Sequence, residues 1–180
     1  MASGRVIIAD YDPRWPVLYR EEEARILDAI GHILVGLEHV GSTSVPGLAA
    51  KPIIDIMAGI DSLDNARECI APLQGIGYEY VPEHEAIMPE RRYFRKGPDN
   101  ARTHHLHMVE LDSPFWIRHI LFRDYLRTHP EEADHYARLK RELAARYGTD
   151  RLGYQDAKDP YITSVEEKTR AAVKFRSSLR

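Results

Sequence analysis

The first clear pattern along the chain is helical. Trp15, Leu18, Tyr19, Ile26 and Ile30 recur so that one side of a helix is apolar. Asp12 stands where a cap belongs, Pro13 where a missing N–H costs nothing, and Gly31 supplies the stop. Two short Ile- and Val-bearing stretches, 33–40 and 52–60, are bounded by glycines and joined by a Gly- and Ser-rich turn; both predict strands. A second helix is expected from about Ser62, burying Leu63, Ala66 and Ile70, with Pro72 ending or kinking it. Stretches 78–81, 92–95 and 103–111 alternate or carry aromatic residues and predict further strands, with Gly97-Pro98-Asp99-Asn100 as a turn.

Beyond Ser113 the texture is helical. Trp116, Ile120 and Tyr125 mark one helix, and Tyr136, Leu139, Leu143 and Tyr147 another. The last is expected to begin near Asp159-Pro160 and to carry Tyr161, Val165 and Ala172. Sheet first and helices last predict an α+β architecture with a C-terminal helical layer. No repeats or long linkers interrupt the 180 residues, so the reading is one domain, its sheet-bearing part at 1–112 and its helical part at 113–180.

Charge narrows the function classes. With 25 Lys+Arg against 28 Asp+Glu the net charge is −3, which argues against a dedicated nucleic-acid binder. The only cysteine, Cys69, excludes an intramolecular disulfide and any multi-cysteine zinc site. No apolar run approaches the roughly 18 residues of a membrane span. The N-terminal MASGRVIIAD turns acidic too soon for a signal peptide, so a soluble cytoplasmic protein is expected.

Candidate chemistry lies between His39 and Ile60. A strand running into Gly41-Ser42-Thr43-Ser44 presents backbone N–H groups and three hydroxyls at one end of a sheet, a turn suited to an anion. Lys51 adds a positive charge, and Asp55 on the next strand adds an oxygen ligand for a divalent cation near the same phosphate. The plain alternative is a flexible turn beside an exposed strand carboxylate. A P-loop is excluded, because Leu48 follows Gly47 where lysine is required.

The string EHVGSTSVPGLAAKPIIDI, from Glu38 to Ile56, resembles the signature of the GrpB family. RRYFRKG at 91–97, RTHHLHMVE at 102–110 and LFRDYLRTHPEEADHYARLKREL at 121–143 extend the resemblance over most of the chain. That family is similar to the polymerase-β-type nucleotidyltransferases. The resemblance implies a mixed sheet with flanking helices, a Gly-Ser motif that holds nucleotide phosphates, and a D-x-[DE] pair that binds divalent metals. Gly41 and Ser42 match the Gly-Ser motif and Asp55 the first carboxylate, but Met57 stands where the second belongs. Two-metal chemistry needs several oxygen ligands around cations about 4 Å apart.

Replacement donors are sought on the strand at 103–111. His105 and His107 project from one face, with Leu106 and Met108 turned to the core and His104 opposite. Imidazoles there favour zinc, manganese or iron over magnesium. The two histidines are alternatively substrate contacts, proton carriers or structural residues. Glu38, Glu83, Glu85 and Glu110 are further oxygen candidates.

Arg92 and Arg95, beside Arg91, Lys96, Tyr93 and Phe94, read either as phosphate contacts or as solvated strand-edge charges. Arg118, Arg123, Asp124 and Arg127 read as surface pairs on helix faces. Tyr154 and Lys158 line the cleft only if their segment is helical.

The expected function is binding of a nucleotide or phosphorylated small molecule at Gly41–Ser44, with transfer of a nucleotidyl or phosphoryl group to a small acceptor. Asp55, Ser42, Lys51, His105 and His107 are the catalytic candidates. Gly41, Ser42, Thr43, Ser44, Lys51, Arg92 and Arg95 are the binding set. Magnesium or manganese, or else zinc or iron, is expected at Asp55, His105 and His107. One alternative is a degenerate, non-catalytic module that binds phosphate or nucleotide or serves as an accessory; the other is a metal-dependent hydrolase using those three residues.

Overall fold

A five-stranded mixed sheet carries the molecule, in a computed structural model that describes residues 5–178; the opening MASG therefore lies outside it. The strands are β1 (Leu34–Val40), β2 (Ile54–Ile60), β3 (Tyr78–Tyr80), β4 (Arg91–Lys96) and β5 (His104–Glu110), in spatial order β1-β2-β5-β4-β3. Only the β2–β5 pair is parallel, the rest being antiparallel. Its register sets Asp55 beside His105 and Met57 beside His107, with Arg95 opposite His105 and Tyr93 opposite His107.

Side-chain alternation gives the sheet two different faces. On one, Ile56, Ala58, Ile60, Phe94, Leu106 and Met108 are all buried. Helices α1 (Trp15–Ile30) and α2 (Ala66–Gly75) cover them with Trp15, Ile26, Ile30, Cys69 and Leu73. On the other face Val40, Met57 and Val109 meet Phe115 and Trp116 of α3 (Pro114–Thr128). Next to that apolar patch, on the same face, stand Asp55, His105 and His107 (exposed by 30, 26 and 14 %).

Local chemistry explains most boundaries. Asp12 accepts the Arg14 N–H at 2.9 Å, so α1 starts two residues later than the expected Pro13. Pro72 is accommodated inside α2, and Ser62 instead opens a short 3₁₀ turn ahead of it. Ser113 caps α3 by accepting the Trp116 N–H at 3.3 Å.

The largest correction concerns the C-terminal helix. It does not start at Asp159-Pro160: α4 (Pro130–Tyr147) ends at Gly148, with φ 54°, and α5 runs over Arg151–Ser178 with Pro160 inside it. An internal proline costs a helix ~3 kcal/mol. Burial of Tyr154 and Val165, at about 2 kcal/mol for each large apolar side chain, offsets that. Asp150 also caps the first turn by accepting the Gly153 N–H at 2.9 Å. Tyr161 is half-buried in this helix, while the Ala172 side chain lies outside those described. No helix among the described residues is long and apolar enough to cross a membrane.

Candidate functional site

Gly41 ends β1 and opens a 3₁₀ turn over Ser42–Ser44. Its φ of 69° with ψ of −175° is a conformation essentially reserved for glycine. A Cβ there would lie 2.6 Å from Asp55 Oδ2, so the bare backbone lets the turn pack against that carboxylate.

The hydroxyls of the turn have separate fates. Thr43 is buried, its Oγ1 donating to the Ile53 carbonyl at 3.2 Å and lying 3.0 Å from His39 Nε2. Ser44 is buried and donates to the Gly41 carbonyl at 2.6 Å. Backbone N–H groups of Ser44 and Val45 close the turn on Gly41 and Ser42. Only Ser42 of the three hydroxyl residues lines the adjoining cavity, so Thr43 and Ser44 serve the shape of the turn.

That cavity, about 480 Å³, is bordered by Gly41, Ser42, Asp55, Arg91, His107 and His119, and by Lys158 from α5. A second cavity of about 600 Å³ holds Lys51, Arg95, Arg102 and His105, and Gln155 borders both. Arg95 is held by both oxygens of Glu79, at 2.9 and 2.6 Å. Arg92 faces the α1–α2 side, 3.4 Å from Glu85, and is not brought to the Gly41–Asp55 group. The arginine that reaches it is Arg91.

Asp55 Oδ1 accepts from His105 Nδ1 at 3.2 Å and lies 3.7 Å from His107 Nε2. Burial pushes the Asp55 carboxyl up, but hydrogen bonds from His105 and His107 outweigh it and hold the group well below the usual carboxylate range. Burial pushes His107 down despite Asp55. One donor atom from each of the three residues fits within 4.8 Å of the others, so they form a cluster able to hold one metal ion. Met57, fully buried against Val40, Val109 and Phe115, adds no oxygen.

The donor set fits a single ion with one qualification of geometry. Arg91 Nη1 donates to His107 Nδ1 at 3.2 Å, and a guanidinium cannot accept. The neutral His107 ring therefore carries its proton on Nε2, whereas a metal-ligating imidazole normally donates from its other nitrogen. His107 can ligate through Nε2 only once Arg91 turns away.

Several side chains at or beside the site carried no readable signal in the sequence. Lys140, on α4, is buried and donates from Nζ to Ser42 Oγ at 2.9 Å and to the Ala49 carbonyl. Burial, with Lys158 and Arg141 nearby, pushes it down to about 7. Lys51 is likewise pushed down to about 8, by burial first and then Lys158. His119 donates from Nδ1 to the Phe115 carbonyl at 2.8 Å, leaving Nε2 as an acceptor at the cavity wall. Burial pushes it down to about 4, so it is neutral near pH 7. Helical spacing does bring Lys158 over Tyr154, 4.7 Å from its ring centre, with Lys51 4.5 Å from the same ring.

Two arginines expected in surface pairs do keep Asp124 as a partner, at 2.7 and 3.8 Å, and in addition brace the turn. Arg123, exposed by 9 %, donates to Glu38 at 2.6 Å, to the His39 carbonyl at 3.0 Å and to Asp124 at 2.7 Å. Arg127 donates twice to the Ser44 carbonyl, at 3.1 and 2.9 Å. Arg118 does form the expected surface pair, with Glu166 at 3.4 Å.

Lys140 gives a pH signature with a definite sign. Its folded pKa lies below the unfolded value of 10.5, so between about 7 and 10.5 the unfolded chain holds a proton the folded one has released. This site's contribution to stability therefore rises as pH climbs through that window. Urea unfolding at pH 7 and pH 9 is expected to give a smaller pH increment for Lys140→Met than for the parent. Equal increments would place the amine in contact with water.

A mixed sheet between two helical layers, with a carboxylate–imidazole cluster beside a Gly-Ser turn, defines an α+β protein with a half-buried polar site. The chain belongs to the GrpB family, whose description, GrpB protein, matches residues 5–168. It is 39% identical over 174 residues to the UPF0157 protein YqkA of Bacillus subtilis, covering 97% of this chain and 50% of that one. The chain thus spans half the length of that relative. A crystal structure of the conserved protein GrpB from Enterococcus faecalis superposes with a TM-score of 0.81 at 38% identity, covering 91% of this chain and 96% of that one. A protein named dephospho-CoA kinase from Mycolicibacterium paratuberculosis is 29% identical over 184 residues, covering 90% of this chain and 45% of its own length.

Proposed function

We propose that the protein binds a nucleotide or another phosphorylated small molecule in the cavity beside the Gly41–Ser44 turn, on a sheet of nucleotidyltransferase type. The observation that carries this reading is that Lys158 lines this cavity together with Ser42, whose hydroxyl accepts from the buried Lys140, while neither lysine forms an ion pair with a carboxylate among the described residues; Lys51 meets the Tyr154 ring from the second cavity. Desolvation pushes Lys140, which is buried, and Lys51 and Lys158, which are half-buried, downward, and Lys158 adds to the shift of the other two, so all three gain from a polyanion that restores their charge. The kinase-named relative adds that a similar segment occurs in a protein named for handling a nucleotide-bearing substrate.

The chemistry proposed is nucleotidyl or phosphoryl transfer to a small acceptor. Ser42 and Lys158 hold the phosphate, Lys140 positions the Ser42 hydroxyl, and His119 Nε2 accepts a proton at the cavity wall. Asp55, His105 and His107 would hold a single divalent ion, which when bound supplies charge neutralisation at a phosphate oxygen. A second reading, a binding module without turnover, is favoured by one observation: Met57 fills the place of the second carboxylate with packed core.

The test is a thermal-shift screen of nucleotides and phosphorylated metabolites with and without magnesium, manganese and zinc. A ligand that binds only the native state raises stability by about 2.7 kcal/mol at a hundredfold excess over Kd. Asp55→Asn is expected to keep the fold and to weaken metal-dependent binding at least about tenfold, as losses around metal ligands commonly do. Undiminished metal dependence in that variant would remove Asp55 from the site. Binding without metal and without turnover would favour the module, and no shift across the panel would overturn the phosphorylated-ligand reading.

A further inference from the structure

Arg91 opens β4 with its side chain on the polar face of the sheet, and the residue is 8 % exposed. It forms no ion pair with a carboxylate among the described residues. Its hydrogen bonds go to two imidazole nitrogens, Nη1 to His107 Nδ1 at 3.2 Å and Nη2 to His84 Nδ1 at 2.9 Å. Nε is buried with no partner. The guanidinium lies 4.9 Å from the Tyr93 ring centre and 5.7 Å from that of Phe115, apolar walls that thin the water around it. It also borders the 480 Å³ cavity that holds Ser42 and Lys158.

A buried guanidinium that donates only to imidazoles has no hydrogen-bonded counter-ion; Glu90 acts on it only through space. Proteins seldom keep such a group unless its counter-ion arrives from outside. The planar fork suits a phosphate or a carboxylate, both of which accept two parallel N–H bonds. The two imidazoles fix the guanidinium's plane without neutralising it. A cavity of this volume takes a small molecule with room for anionic groups at more than one wall.

We infer that Arg91 is a second anion-binding position, so that the ligand of this cavity carries one anionic group at Ser42 and Lys158 and another, a phosphate or a carboxylate, at Arg91. This rests on the cavity being the ligand's place, as proposed above. It narrows the ligand class to small molecules with two separated anionic groups. An anion at Arg91 also competes for the donors that now hold His107 Nδ1. Anion binding and metal ligation by His107 are then expected to favour one another.

The experiment is an NMR titration of the full chain, labelled with nitrogen-15, using inorganic phosphate and, separately, malonate. The Arg91 Nε–H signal of the unsubstituted protein is expected to move and saturate with the anion it prefers, which distinguishes phosphate from carboxylate without any variant. Arg91→Met is expected to weaken binding of that anion at least tenfold, and Arg91→Lys to keep part of it. Lys158→Met separates the two readings. If Lys158→Met weakens phosphate binding while Arg91→Met, folded by its amide spectrum, binds as the parent does, the Arg91 inference fails and the lysine reading stands. An unmoved Arg91 signal under saturating phosphate and malonate overturns it even if Arg91→Met does not fold. Loss of binding in Arg91→Met alone supports Arg91 and overturns the lysine reading.

Discussion

Gly41→Ala is expected to cost about 3 kcal/mol or more, because two named sources of strain meet at one position. The φ of 69° with extended ψ disfavours any side chain, at roughly 1–3 kcal/mol. The added Cβ would also stand 2.6 Å from Asp55 Oδ2, 3.0 Å from Asp55 Cβ and 3.1 Å from Cγ. Either β1 and β2 separate there or Asp55 swings out of its hydrogen bonds with His105, and both outcomes spoil the cluster. Chemical denaturation measures the loss. Repeating the substitution in an Asp55→Ala background removes the carboxylate overlap but keeps the backbone strain. The two changes should then couple by about 1 kcal/mol, within the usual range for residues in contact. Simple additivity would mean that the turn relaxes away from Asp55.

Arg123→Ala ranks next, at about 2–3 kcal/mol, from a buried acceptor left unsatisfied together with lost packing. The decisive partner is the His39 carbonyl, since His39 is only 7 % exposed. Glu38 and Asp124, at 42 and 50 % exposure, can return to water when the guanidinium is removed. The contrast is therefore sharp: Glu38→Gln should cost under about 1 kcal/mol, as half-exposed ion pairs usually do. Equal losses for both variants would show that the ion pair, rather than the carbonyl, holds α3 against the end of β1. Because β1 leads directly into the Gly41 turn, Arg123→Ala should also broaden any ligand-dependent transition at Ser42.

These two effects differ in how visible they are in the chain. Gly41, Ser42 and Asp55 are close in sequence, and a strand–turn–strand with that spacing brings them together by local geometry alone. The alternation of β5 likewise reveals that His105 and His107 share a face while Leu106 and Met108 take the other, since a strand has a period of two. The α+β order, the two strands flanking the turn and the apolar stripe that buries Trp15, Ile26 and Ile30 follow from the same short-range patterns.

Partners distant in sequence were not legible. Lys140 lies 98 positions from Ser42, and nothing in α4 distinguishes it from solvated lysines until α4 packs across the turn. Arg91 and Arg92 are neighbours of like chemistry. Strand alternation sends one to the histidines and the other to the opposite face, and the exact start of β4 decides which. Thr43 and Ser44 read as ligand donors because a sequence does not show that the Ile53 and Gly41 carbonyls claim their hydroxyls. In sequence Pro160 reads as a helix start because local propensity counts its missing N–H and not the burial of Tyr154 and Val165 on either side of it. By itself the sequence determined the fold class and the Gly41–Asp55 and His105–His107 pairs, because these depend on strand periodicity and on contacts within one strand–turn–strand unit. Tertiary structure alone decided which cations are buried without counter-ions, because desolvation is set by what packs over a residue from far along the chain.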